Sequence, residues 1–190
     1  MHTYKPVRDF ADGVRIAFSG VEDGSMATGG AKPSLKKKKK NAELFLKTCG
    51  FEAKSRAKVF VTYLPENTYT HIDRVDESTT GAIKSDALFT TMKNQVITLP
   101  VADCIATVVY DPVVPLLGVL HLGRHASVAG LIEEFAIRVA DECGSDPCDW
   151  HIWMSPSLKS DHDVMDYFDP PYIEQWQGFM RVRDDGKIHI

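Results

Sequence analysis

No apolar run in this chain approaches the roughly 20 residues that a membrane-spanning helix needs, and the N-terminal MHTYKPVRDF contains no apolar signal-peptide core. Both absences lead to the expectation of a soluble, cytoplasmic protein with no membrane partner. Cysteine is sparse, four in 190 residues, which excludes a disulfide-stapled scaffold and leaves the thiols reduced, buried or metal-bound. Positive charge is in short supply as well. With 22 Lys and Arg against 26 Asp and Glu, the net charge is -4, so the basic footprint of a nucleic-acid-binding protein is missing. A small substrate fits this balance better than a polyanion. No internal repeat is visible. What remains is ordinary globular material, 44% hydrophobic and 25% charged, enough for one sizeable core and therefore one domain over residues 1–190.

Along the chain, GVRIAFSG (13–20) alternates apolar and polar residues as a strand does, and the glycine-rich VEDGSMATGG that follows suits a loop over a pocket. Five consecutive lysines, Lys36 to Lys40, lead into NAELFLKTCG, a helix pattern with Leu44, Phe45 and Thr48 on one face and Gly50 as its stop. The lysines read as a solvated loop and first helical turn, opposed to the helix dipole. KVFVTYL (58–64) has strand composition, and Pro65 ends it. His71 lies in the short extended stretch YTHIDRV. A long strand is expected through VITLPVADCIATVVY, broken by DPVVP, with LLGVLHLG as its hairpin partner.

Centring that turn on residue 112 or 113 makes Cys104 and His121 direct partners across the hairpin. Opposed residues hold their Cβ atoms about 4.5–5.5 Å apart on one face, from which both can reach one metal ion. With His71 they would make an N, S, N donor set of the kind a catalytic zinc accepts, leaving a fourth position for water or substrate. Taken singly, Cys104 is equally a small core residue and His121 a hydrogen-bonded one.

Beyond the hairpin, SVAGLIEEFAIRVADECG carries the i, i+3, i+4 rhythm of an amphipathic helix, with Ser127 as its N-cap and Gly144 as its stop. Arg124 and His125 then stand just before a helix N-terminus, a place suited to an anion, where Arg124 offers a planar fork for phosphate. An ion pair between Arg124 and Glu133 is the structural alternative. Cys49 reads as core, and Cys143 and Cys148 flank a surface turn. DWHIWM and GKIHI read as strands, and VMDYF as a short helical turn. The fold class expected is α/β (α+β), with mixed, largely antiparallel sheets covered by helices.

The stretches SDALFTT, LPVADCIATVVYDP and GVLHLGRHASVAGLI resemble the YfiH-like laccase-domain family, also known as polyphenol oxidases and peptidoglycan editing factors. Its pattern runs roughly QVHxxxV, DALVT, TADCxPVxxxDP, GxxHAGWRG. FSGVEDGS, NAELFLKTCG and MSPSLK are similar to its FSTRxGGVS, NRxxLxxxLG and GPSI segments. The resemblance implies zinc, with copper as the second choice, on His71, Cys104 and His121. It implies catalytic roles for Cys104, His121 and Arg124, and substrate contacts from Ser19, Asn41, Asp86, Arg124, His125 and Ser127. Biochemically characterised family members are purine nucleoside phosphorylases and adenosine deaminases, so the implied partners are a purine nucleoside and phosphate; the oligomeric state is left open by the sequence, with a monomer as the favoured expectation. Family members continue past the point matching Ile190, which implies one laccase-like domain lacking the C-terminal part of the fold. In this chain the guanidinium of GRH stands one position earlier than in the family. A true laccase is excluded by histidine count, since its copper set needs about ten and the chain has seven. Two further readings are a thiol hydrolase built on Cys104 and a member that binds a nucleoside or partner without turnover.

Overall fold

The computed structural model describes residues 9–26, 33–51, 55–60, 68–159, 162–165 and 173–189. Eight strands come first in chain order: β1 (Ser55–Phe60), β2 (Ile72–Arg74), β3 (Gly81–Lys84), β4 (Ala87–Thr90), β5 (Gln95–Thr98), β6 (Ile105–Asp111), β7 (Leu116–Leu122) and β8 (His151–Met154). They form a five-stranded sheet in the order β2-β4-β7-β6-β8, antiparallel except for β2 on β4, and a parallel three-stranded sheet in the order β3-β1-β5. Near the C-terminus β9 (Val164–Met165), β10 (Arg181–Val182) and β11 (Ile188–His189) make a small antiparallel sheet. The mixed, mostly antiparallel α/β architecture agrees with the sequence.

Both faces of the five-stranded sheet are covered, which explains the unbroken burial of β4 and nearly all of β7. Helices α2 (Arg124–Val128) and α3 (Leu131–Cys143) follow β7 and pack on one face, while α1 (Leu35–Thr48) precedes β1 in the chain. Leu131, Phe135 and Val139 of α3 recur every four residues and pack on Ala87, Phe89, Leu116 and Leu120. Burying each such side chain is worth about 1.5–3 kcal/mol. Phe135 lies against Gly118, where a β-carbon would collide with its ring, and edge-on to Phe89 and Trp150. On the other face Val108 and Val119 meet Ile16, Ile97 and Leu99, which joins the two larger sheets. No helix among the described residues is long and apolar enough to cross a membrane.

Several elements differ from the sequence reading. Residues 15–20 form no strand, although Ile16 is buried and Phe18 meets Trp153, so their alternation reports burial rather than ladder pairing. VITLPVADCIATVVY is two strands in two sheets, because Pro100 lies where the ladder would need an N-H. Strand β1 begins earlier than KVFVTYL and overlaps it at residues 58–60; residues 61–67, Pro65 included, lie outside the described residues. Helix α1 stands where expected, capped by the Ser34 hydroxyl accepting from the Lys37 N-H. It is turned, however: Leu44 and Thr48 face solvent while Lys38 is buried. Val164 and Met165 are strand rather than helix, and residues 166–172 lie outside the description.

The helix after β7 is also divided. Gly130, at φ 80°, separates α2 from α3, so Gly123 caps α2 and Ser127 sits inside it instead of capping. Gly144 ends α3 in the left-handed conformation, as its position suggested.

Candidate functional site

The hairpin register decides the site. Strand β6 ends at Asp111 and β7 starts at Leu116, and the ladder pairs Ile105 with Leu122 and Ala106 with His121. The direct pairing of Cys104 with His121 is therefore corrected: Asp111 remains in the strand, which shifts the register. Cys104 lies just before β6, diagonal to His121. The two side chains nonetheless meet over Gly123. Cys104 Sγ lies 3.1 Å, and His121 Cε1 3.2 Å, from the point where a Gly123 β-carbon would stand. A glycine there leaves space that any other residue would fill.

Asp86 sits between the two histidines. It precedes β4, and His121 N-H donates to its carbonyl oxygen at 2.9 Å. On the other side, the Asp86 and Ala87 N-H groups donate to the His71 carbonyl at 2.8 and 3.0 Å. His71, Asp86 and His121 thus stand beside one another at the ends of β2, β4 and β7. The Asp86 side chain, fully buried, accepts from the His71 backbone N-H at 3.0 Å and lies 3.7 Å from His71 Nδ1.

Burial pushes the Cys104 thiol above its ordinary pKa; the Asp103 charge adds to this, Arg124 opposes it and Asp163 adds again. Burial likewise holds His121 below the usual imidazole value, partly offset by Asp86. Near neutral pH the site thus presents a protonated thiol and a neutral imidazole.

The other expected substrate contacts have structural engagements. His125 is buried, its ring stacked on Tyr69 at 4.7 Å between centroids and 25° between planes. The Ser127 hydroxyl donates to the Gly123 carbonyl at 2.9 Å. Asn41 donates to the Ser25 carbonyl at 3.1 Å, holding the loop after residue 20, and Ser19 is exposed. Two residues not singled out in the sequence emerge here. Gly123 could have been found from its position two residues after His121; Tyr69 could not, because its left-handed backbone (φ 59°) has no signal in its residue type.

As a metal site, the donor chemistry fits. A thiol and an imidazole share one space, and the strand ends bring a second histidine alongside. One element is out of place. The His71 side chain is 57% exposed, with its ring nitrogen 3.5 Å from Thr68 Oγ1 and turned to Asp86. Among the described residues no three His, Cys, Asp or Glu side chains stand together around one ion position.

The architecture and site define a mixed α/β protein with a cysteine and a histidine bordering one glycine at the ends of its central strands. The chain belongs to the family described as multi-copper polyphenol oxidoreductase laccase, whose model matches residues 32–179. It is similar to a Bacillus subtilis protein named purine nucleoside phosphorylase YlmD, 33% identical over 87 residues, which are 43% of this chain and 31% of that protein. Among solved structures, it matches YlmD from Geobacillus stearothermophilus with a TM-score of 0.70 at 15% identity, over 86% of this chain and 64% of that one. It also matches Bacillus licheniformis YfiH, with a TM-score of 0.67 at 17% identity, over 87% and 65% of the two chains. The chain thus spans just under two thirds of these structures and about a third of the curated relative. At such identities the structures establish the fold.

Proposed function

We propose that this chain is a metal-dependent enzyme acting on purine nucleosides, with phosphorolysis as the principal reaction and deamination of adenosine as the second. The observation that carries the reading is that Cys104 and His121 both border Gly123, the residue directly before Arg124 in the chain. The family match and the name of the B. subtilis relative support it.

In this reading Cys104, His121 and His71 would hold zinc, which, when bound, supplies a Lewis acid able to polarise a substrate oxygen. Arg124 holds phosphate through its planar guanidinium. A phosphate oxygen then forms a bond to the ribose anomeric carbon as the bond to the purine nitrogen breaks, giving ribose 1-phosphate and free base. Charge builds on the departing base, so positive groups aimed at it lower the barrier. Asp86 holds the His71 backbone through its carboxylate and the His121 backbone through its carbonyl, which fixes the two main-chain positions beside each other.

The test combines metal quantification of the purified chain with incubation in inosine or adenosine plus phosphate. About one equivalent of zinc, with ribose 1-phosphate or inosine formed, is expected. Both should be lost in Cys104→Ala. Copper in place of zinc would correct the metal. Bound metal without turnover of either nucleoside would leave a binding protein. Turnover by metal-free protein that a thiol alkylator abolishes would establish the hydrolase instead.

A further inference from the structure

The five-stranded sheet ends in two edges that differ in kind. At one end β2 carries Asp73 and Arg74, charges of the sort that discourage a further strand from pairing there. At the other end stands β8, His151–Met154, whose four residues include no Lys, Arg, Asp, Glu or Pro. Among the described residues β8 pairs only with β6, so its outer row of N-H and C=O groups meets no other strand there.

The side chains along this edge are apolar. Ile152 lies opposite Val109, and Met154 opposite Thr107, in the ladder with β6, so both share the sheet face on which Phe135 packs. Val109 and Thr107 are each 2% exposed, whereas Ile152 and Met154 are 53% and 50% exposed. The core therefore stops one strand short of the edge. On the other face Trp153 meets Phe18 and packs on the cluster of Val108 and Val119. What is left open is the edge itself and, on one face, Ile152 and Met154.

We infer that the β8 edge pairs with the β8 edge of a second copy of this chain, antiparallel about a twofold axis at Trp153, making one sheet continuous through both copies. The strand is complementary to itself. An axis normal to the sheet reverses the second strand and keeps each face on its own side, so Ile152 falls opposite the partner's Met154 and the two apolar side chains cover each other. The flanks fit as well: Asp146 and Asp149 precede the strand and Lys159 follows it, so antiparallel pairing brings the acidic end of one copy toward the basic end of the other. A parallel arrangement would set like charges side by side. A four-residue ladder is small against the roughly 1,200 Å² of a stable interface, which places association in the micromolar range. Such a dimer departs from the monomer expected of the sequence and depends on no metal. It also reaches toward the candidate site. Directly after β8, Ser155 donates its N-H to the Ala106 carbonyl and accepts from the Ala106 N-H through Oγ, both at 2.9 Å, and the Leu158 N-H donates to the Asp103 carbonyl at 3.1 Å. The interface strand thus runs on into the segment beside Cys104.

Sedimentation velocity from about 1 μM to about 1 mM tests this on the wild type, Ile152→Lys, Met154→Lys and Ile152→Val, with thermal unfolding recorded alongside. The wild type and Ile152→Val are expected to pass from monomer to dimer as concentration rises. Each lysine variant should weaken association about tenfold or more while unfolding as the wild type does, because a lysine on an edge strand opposes pairing and both positions are half exposed. Disulfide trapping reads the register: in a Cys148→Ser background, a mixture of Ile152→Cys and Met154→Cys should give the mixed covalent dimer in preference to either homodimer. A wild type that stays monomeric throughout overturns the inference. So does a dimer that both lysine variants retain, since it would use another surface. If the lysine variants fail to fold, the trapping decides, the mixed dimer upholding the pairing and its absence overturning it.

Discussion

The Cys104 sulfur and the His121 imidazole both border Gly123, each within 3.2 Å of the position a β-carbon would take there. The space between them is thus open because Gly123 carries no side chain. Gly123 has φ -85° and ψ 170°, a conformation open to alanine, so a substitution here tests space rather than backbone strain. Gly123→Ala is expected to weaken Co2+ or Zn2+ binding by about tenfold or more. The accompanying loss of stability should be about 1 kcal/mol or less, from the poorer helix cap. Chelator competition and thermal unfolding separate the two effects.

Alkylation of Cys104 should be slow at neutral pH in metal-free protein. Burial raises its pKa, so the thiolate fraction at pH 7 is smaller than for an ordinary thiol and grows only as pH rises toward the elevated value. Iodoacetamide labelling followed by mass spectrometry across pH 6 to 10, about the ordinary titration range of a thiol, checks this. Rapid labelling at pH 7, ahead of glutathione, would favour the nucleophile reading over the ligand reading.

Asp111 is the hub of a buried network. Its carboxylate accepts from the Val113 and Val114 N-H groups and from the Ser145 hydroxyl at 2.6 Å, and that hydroxyl in turn accepts from the Trp150 indole at 2.9 Å. Burial alone would raise its pKa, but the hydrogen bonds from Ser145 and the backbone outweigh it and hold the carboxyl below its ordinary value. A depressed folded-state pKa contributes stability that is present above the unfolded value and lost as pH falls through the folded one. Asp111→Asn should cost about 1–3 kcal/mol at pH 7 and flatten the acid limb of stability against pH, measured by urea unfolding between pH 7 and 3.

Gly118 admits the Phe135 ring where no side chain could coexist with it. Gly118→Ala is expected to destabilise the chain by about 1–3 kcal/mol through overpacking. Adding Phe135→Leu should recover part of this loss, which a double-mutant cycle by thermal denaturation measures.

The candidate site residues were legible as candidates. His71, Cys104, His121 and Arg124 stand out by residue type, and the hairpin around Pro112 and Pro115 could be read from its breakers. Their relation was less so. A shift of register moved the partner of His121 from Cys104 to Ala106, because the strand continues through Asp111, whose carboxylate is satisfied by the turn. The break between β5 and β6 was present as Pro100, but the destination of each half in a different sheet was not. Side chains such as His125 and Ser127 looked equally available for substrate until their burial or hydrogen bonds were seen.

By itself the sequence determined what is available locally: which thiols, imidazoles and guanidinium groups exist, which segments alternate or repeat with helical period, and where glycine and proline stop them. These are local properties, carried by side-chain type and backbone freedom. Only the tertiary structure decided that Cys104 and His121 share the space over Gly123, that Asp86 stands between two histidines, and that Tyr69 is strained against His125. Such relations depend on register and on packing between residues far apart in the chain. A displacement of one residue in a ladder changes them while leaving every local pattern intact.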